Sequence, residues 1–310
     1  MAAMTTGPAA EANTPSGGSL AALWATARPA QWVKNLVLPL PFVFGGSLTR
    51  PRGWVLAAAG VAIFSAVASA IYFVNDVRDR ERDAAHPVKR HRPLAAGHLA
   101  PTSAIAAAIL LGVGGLTAAF VLSSGFGRWC ALYAGLMICY SLGLKDVPFL
   151  EALIVAAGLP LRALAGAALA VVPPSPFLMG CAFLLALFLV VGKRQWELQH
   201  AGNVSSSEHR AVLASYHTER LDFLFVAIAL TAVAAYAAYT VAPVTVRKFG
   251  GTGLAWTVPW VVLGLTRYVR LVYRHGGGGN PTRALLIDDP WILLIVLGWI
   301  LTAGLVVYGG

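Results

Sequence analysis

The sequence predicts an all-α polytopic membrane protein: one bundle of nine transmembrane helices. Three observations carry that expectation. Of 310 residues, 58% are hydrophobic and 12% charged, with mean hydropathy +0.71; a soluble domain carries roughly twice that share of charge. Apolar runs near the length of about 20 residues that crosses a bilayer recur along the chain. Lys and Arg also collect at alternate ends of those runs, as cytoplasmic loops require.

Residues 1–20 are rich in Ala, Thr, Gly, Pro and Ser, with Glu11 their single charge. No positive segment leads into an apolar one, so they do not read as a signal peptide. They read as a disordered tail, and residues 21–310 as a single transmembrane domain. The nine spans fall near residues 34–49, 54–75, 101–122, 126–144, 148–172, 176–192, 222–243, 254–273 and 290–308. The first is the weakest, since Pro39 and Pro41 interrupt it, which predicts a kinked or interfacial segment. Long polar connections lie at 76–100, 193–221 and 274–289. Within the last, Gly276–Gly279 and Asn280-Pro281 form a turn rather than a phosphate loop, because no strand precedes them and no Lys-Ser/Thr follows.

Nine spans and a cytoplasmic N-terminus place all three long connections on the cytoplasmic face. Arg50, Arg52, Arg128, Arg247 and Lys248 then lie on the far side and Arg162 inside the fifth span, leaving 17 of the 23 Lys and Arg on the cytoplasmic side. The net charge of +10 is therefore spread between spans, which fits membrane topology and anionic ligands and argues against a nucleic-acid surface. Cys130, Cys139 and Cys181 all sit in apolar runs without metal-ligand spacing, which excludes a disulfide framework and a zinc site.

The chemistry concentrates after the second span. Asn75, Asp79 and Asp83 are four apart, so along a helix they drift by only about 40° per step and share a face. Arg78, Arg80, Arg82, Lys89, Arg90 and Arg92 crowd around them. Oxygen ligands beside cations suit Mg²⁺ with a diphosphate, since Mg²⁺ prefers a few carboxylates plus phosphate oxygens to an all-protein cage. A solvated charge run flanking a membrane helix is the plain alternative; the regular acid spacing and the following Lys-Arg-x-Arg-Pro favour a site. Asp76 lies about 100° off that face, suited to water-mediated ligation or to orienting Lys89 or Arg90. Arg162 is a charge within the membrane, and by default such a residue faces a polar cavity and pairs with an anion.

These residues resemble a known family. Asn75-Asp76-x-x-Asp79-x-x-x-Asp83 is similar to the first Asp-rich motif of the UbiA superfamily of intramembrane prenyltransferases. Arg28-Pro29-x-Gln31-Trp32-Val33-Lys34-Asn35 precedes the first span, and Ala85-His86-Pro87-x-Lys89-Arg90-x-Arg92-Pro93 follows the acids. Tyr140-Ser141-Leu142-Gly143-Leu144-Lys145, Leu161-Arg162-Ala163-Leu164-Ala165-Gly166 and Gly192-Lys193-Arg194-x-x-Glu197-Leu198 complete a series resembling the decaprenyl-phosphate phosphoribosyltransferase branch. The ordered series spans roughly residues 28–305.

The resemblance implies transfer of 5-phosphoribosyl from phosphoribosyl diphosphate (PRPP) to decaprenyl phosphate or another polyprenyl phosphate at the cytoplasmic face of a bacterial plasma membrane, for cell-wall arabinan synthesis. It also implies Mg²⁺ as cofactor, held by Asn75, Asp79 and Asp83, with Glu197 as an optional further ligand. Asp76, Lys89, Arg90, Arg92, Lys193 and Arg194 are then expected at the donor, and Lys34, Arg162, Tyr140 and Lys145 at the acceptor. The division of Lys34, Arg162, Lys193 and Arg194 between the two phosphates stays open. A typical aromatic prenyltransferase of the superfamily has a second acidic motif near the sixth helix, where this chain reads Lys193-Arg194-Gln195-Trp196-Glu197. That departure weighs against a prenyl-diphosphate donor. A non-catalytic transporter or lipid-binding scaffold would show internal repeats, and none is visible. Self-association is left open.

Overall fold

The computed structural model describes residues 19–45, 47–199, 218–273 and 289–308. Helices α1 (Ser19–Ala27) and α2 (Leu40–Phe44) are short and separated by a 3₁₀ stretch, Pro29–Val37. They are followed by α3 (Pro51–Arg78), α4 (Arg80–Ala85), α5 (Pro101–Leu122), α6 (Ser124–Leu142) and α7 (Leu150–Ala170). The chain continues through α8 (Pro176–Gln199), α9 (Thr218–Val241), α10 (Pro243–Phe249), α11 (Val258–Tyr273) and α12 (Pro290–Tyr308). Among the described residues every regular element is helical.

Among the described residues six helices are long and apolar enough to cross a bilayer: α3, α5, α7, α8, α9 and α12. The expected count of nine continuous spans is not reached, for three local reasons. Helix α6 has 19 residues but carries Arg128 and three glycines. Helix α11 has 16 residues and carries Arg267 and Arg270. The expected 34–49 span is broken into the 3₁₀ stretch and α2, because Pro39 and Pro41 cannot donate backbone hydrogen bonds. The expected tail at 1–20 lies almost wholly outside the described residues, as do the 200–217 and 274–288 parts of the long connections.

Two apolar clusters organise the bundle. The first joins Leu38 and Phe42 to Phe64 and Val67 of α3, Phe126 and Cys130 of α6, and Leu161 and Leu169 of α7. The second joins Phe188 of α8, Leu221 and Phe225 of α9, and Leu265 and Tyr268 of α11. Packing between α7 and α8 links them. Helix α7 is the most enclosed of the six, with 61% of its apolar window buried, so its polar residues point into the bundle interior.

The broken 28–50 segment runs back along α3. Its contacts step in reverse order: Arg28 to Asp76, Trp32 Nε1 to Ser69 Oγ at 3.0 Å, Asn35 Nδ2 to Ser65 Oγ at 2.8 Å, and Leu38 against Gly60. Backbones come close at Gly166, where a Cβ would meet the carbonyl oxygen of Leu38 at 2.0 Å. Only glycine fits that position. Trp32 packs edge-to-face on Trp24 at 5.4 Å, and its hydrogen bond to Ser69 anchors the segment to α3.

Candidate active site

The acidic motif sits at the end of α3, which projects beyond the apolar core because 28 helical residues extend about 42 Å. The helix axis breaks at Asp79 (φ −88°, ψ 6°), yet the hydrogen bonding runs on: Asp79 N–H donates to Asn75 O and Asp83 N–H to Asp79 O. One-turn spacing therefore survives the break.

Each carboxylate has a cation. Asp76, 2% exposed, accepts from Arg28 Nη2 at 2.5 Å and from Arg92 Nη1 at 3.3 Å. The same Arg92 nitrogen donates to Asp83 Oδ2 at 2.6 Å. One guanidinium thus bridges two acids seven residues apart, one on each side of the break at Asp79. Asp79 meets Lys145 with both oxygens, at 2.5 and 2.7 Å from Nζ. Lys145 belongs to the 3₁₀ turn Leu144–Asp146 between α6 and α7.

Deeper in the bundle, Arg162 is buried, 7% exposed. Its Nε donates to Asn35 Oδ1 at 2.8 Å, Nη1 to Gly158 O at 2.5 Å and Nη2 to Tyr133 Oη at 2.8 Å. The guanidinium also lies 4.7 Å from the Tyr133 ring centroid and 5.4 Å from that of Phe64. All these partners are neutral. The hydrogen bonds aim the group without cancelling its charge, and two of its five N–H donors stay available.

Lys34, outside the six spans, adds to this positive field. Its side chain is exposed, although protein atoms crowd around the ammonium. Burial, and then the charges of Arg162, Lys193 and Arg28, pull its ammonium down to about 8. Lys193, 43% exposed along its side chain, has a loose 3.7 Å contact with Glu197. Arg28 also lies over the Tyr72 ring at 4.8 Å, and Tyr72 stands within electrostatic range of both Asp76 and Arg162. Arg28, paired with Asp76 and within electrostatic range of Lys34, thus sets the acid rim beside the cationic basin of Lys34, Arg162 and Lys193.

Arg194 is used differently. Its Nε and Nη2 meet the two oxygens of Glu151 at 2.6 and 2.8 Å, and Nη1 meets Glu197 Oε2 at 2.5 Å. Glu151 has no exposed surface. Tyr140, in the last turn of α6, lies within range of Glu151, Arg194, Asp79 and Glu197 and ties this cluster to the acid rim.

The expected residues separate accordingly. Asp76, Asp79, Asp83, Arg92 and Lys145 come together at the rim; Lys34, Arg162 and Lys193 share the basin. Glu197 is engaged by Arg194 and Lys193, and Arg194 also holds Glu151. Lys89 and Arg90 form a 3₁₀ turn held by His86, whose Nδ1 accepts from Val88 N–H at 3.1 Å and Lys89 N–H at 3.2 Å. Arg90 is exposed, with its Nε facing His91. Asp76 is paired by Arg28 and Arg92, not by Lys89 or Arg90. Arg28, Asn35, Tyr133 and Glu151 are the residues that reading the motif series leaves without a role. Arg28 and Asn35 stand inside a quoted motif, but the acid or cation that each meets lies far along the chain.

Metal capacity follows from this donor set. Among the described residues no group of three or more His, Cys, Asp or Glu is close enough to hold an ion alone, so the expected set offers two carboxylates and one amide. All three are hard oxygen donors, and a cation, the Lys145 ammonium, already lies across both oxygens of Asp79. That fits a weakly ligated ion completing its shell with water and phosphate oxygens.

Comparison with known proteins agrees with this geometry. The UbiA prenyltransferase family matches residues 36–287. The chain is 33% identical over 287 residues to the decaprenyl-phosphate phosphoribosyltransferase of Mycobacterium tuberculosis, covering 91% of this chain and 93% of the relative. The enzyme of the same name from Corynebacterium glutamicum is 31% identical over 292 residues, covering 91% and 85%. Among solved structures, a UbiA homolog from Archaeoglobus fulgidus bound to GPP and Mg²⁺ superposes with TM-score 0.68 at 17% identity, over 93% of this chain and all of that one. Fold, motif order and sequence thus agree: the chain belongs to the UbiA prenyltransferase family.

Proposed function

We propose that the protein transfers 5-phosphoribosyl from phosphoribosyl diphosphate to decaprenyl phosphate or a closely related polyprenyl phosphate, releasing diphosphate, on the cytoplasmic face of a bacterial plasma membrane. The observation that carries this reading is Arg162: a buried cation held by three neutral groups, without a carboxylate partner among the described residues and within electrostatic range of Lys34. A protein-made charge left uncompensated at that depth calls for a ligand anion. The names of the mycobacterial and corynebacterial relatives support it.

In the reaction the C1–O bond to diphosphate breaks and a phosphate oxygen of the polyprenyl phosphate bonds to C1. The nucleophile is already anionic, so no side chain need take its proton. Charge grows on the departing diphosphate, where Mg²⁺, held by Asn75, Asp79 and Asp83 and supported by its presence in the archaeal homolog, would supply electrostatic stabilisation. Arg92 holds Asp76 and Asp83 in place, and Lys145, beside Asp79, faces the same group; Lys34, Arg162 and Lys193 orient the second phosphate in the basin. Arg194 holds Glu151 and Glu197, which counts against their serving as a second metal-binding pair for a prenyl-diphosphate donor. The polyprenyl tail runs along apolar helix faces into the lipid, which accounts for a sugar transferase built inside a bilayer.

The test is direct: purified protein in detergent with Mg²⁺, labelled phosphoribosyl diphosphate and polyprenyl phosphate. Label passing into the lipid phase with diphosphate release is expected, and Asp79→Asn and Asp83→Asn should abolish it while the protein stays folded. Label remaining in water, or full turnover in either variant, would refute the assignment.

A further inference from the structure

Asp79 and Lys145 are an unusual pair for a structural salt bridge. A single ammonium covers both carboxylate oxygens, at 2.5 and 2.7 Å, and each side chain is 14% exposed. The pair joins residues 66 apart, and Lys145 enters from a short turn rather than from a helix. Four residues on, Phe149 holds φ 63°, ψ −43°, a conformation that a non-glycine residue keeps only under constraint from its surroundings. The other two acids differ. Asp76 and Asp83 are nearly inaccessible and share one nitrogen of the Arg92 guanidinium, with Arg28 as a second partner of Asp76. Of the three acids, Asp79 is the accessible one, and its partner is a flexible point charge instead of a fork.

Resting on the divalent-metal reading above, we propose that Lys145 is the exchangeable counter-ion of Asp79. In the ligand-free protein its ammonium occupies the face of the carboxylate that a metal would take. When a divalent cation arrives, Lys145 leaves Asp79 and turns to the diphosphate, while Arg28 and Arg92 stay on Asp76 and Asp83. The exchange leaves the rim's charge satisfied in both states: without ligand the acid never stands bare, and with ligand the lysine's charge moves from acid to phosphate. It also discourages metal from binding without its phosphate partner, since the displaced ammonium would then be left a few ångströms from a dication with no anion to meet.

The experiment measures metal binding without turnover. Mn²⁺ titrated into detergent-solubilised protein and followed by electron paramagnetic resonance should bind Lys145→Gln about tenfold more tightly than wild type. An opposite charge at this range shifts a carboxylate's proton equilibrium by roughly 10- to 1,000-fold, and removing it frees the oxygens correspondingly. Lys145→Arg, which keeps the pair, should match wild type, and Asp79→Asn with Lys145→Gln should lose the gain. On the wild-type chain, amine acylation read by mass spectrometry should rise several-fold at Lys145 with Mg²⁺ alone and fall again when diphosphate is added. Equal Mn²⁺ affinity in wild type and Lys145→Gln, or acylation of Lys145 indifferent to Mg²⁺, overturns the exchange and leaves the metal assignment standing. Absence of Mn²⁺ binding in both proteins overturns the exchange and the metal assignment together, whereas the labelled-lipid assay judges the transferase reading separately.

Discussion

Replacing Arg162 with Met separates an anion-binding arginine from a structural one. The wild-type guanidinium donates three hydrogen bonds, to Asn35, Gly158 and Tyr133. At about 1 kcal/mol each, rising when the donor is charged, their loss costs roughly 3–5 kcal/mol. Against this stands the relief of a buried charge that no carboxylate compensates among the described residues, worth several kcal/mol in the opposite direction. The ligand-free variant should therefore unfold within about 1 kcal/mol of wild type. Its response to ligand should differ sharply. A hundredfold excess of substrate over Kd stabilises the wild type by about 2.7 kcal/mol, and a hundredfold weaker variant under the same conditions retains about 0.4 kcal/mol. Thermal unfolding in detergent, with and without phosphoribosyl diphosphate or polyprenyl phosphate, reads both quantities. Arg162→Lys is the comparator, keeping the charge but not the fork. A large loss of ligand-free stability in Arg162→Met, with the ligand-induced shift intact, would refute the reasoning and make Arg162 a purely structural residue.

Two further predictions follow from the geometry. Lys34 is held down to about 8 by burial and by Arg162, Lys193 and Arg28, so in the free protein it loses its charge as pH rises from 7 to 9; substrate affinity should fall over that interval, and binding above pH 8 should take up a proton because a bound phosphate restores the charge. Calorimetry in buffers of different ionisation enthalpy checks this, Lys34→Arg should flatten the profile, and a flat wild-type profile counts against it. Gly166→Ala would place a Cβ 2.0 Å from the carbonyl oxygen of Leu38, forcing apart α7 and the segment that carries Lys34 and Asn35; a loss of roughly 1–3 kcal/mol in stability is expected, and an unchanged melting curve would show that the close approach is not needed.

How much could be read in advance differs from residue to residue. The regular spacing of Asn75, Asp79 and Asp83 survives the helix break at Asp79, since spacing is a property of local hydrogen bonding. Arg162 stood out as an intramembrane charge and does line the bundle interior. The kink at Pro39 and Pro41 was visible from proline chemistry. The roles of Arg28, Asn35, Tyr133 and Glu151 were not, because each is defined by a partner 29 to 127 residues away, such as Tyr133 with Arg162 or Asn35 with Arg162. Lys193 and Arg194 show the same limit. Adjacent on one helix and alike in charge, they differ because the fully buried Glu151 captures the second and not the first.

The amino-acid order alone determined the class of molecule, the clustering of positive charge between apolar runs and the helical face on which the acids recur. Each of these depends on composition or on hydrogen bonds within one or two turns. Tertiary structure decided which cation neutralises which acid, which charges remain uncompensated, and how a broken 3₁₀ segment delivers Arg28, Lys34 and Asn35 to the end of α3. Electrostatic pairing is a matter of distance in space at low dielectric. Only the packing of helices remote in sequence sets that distance.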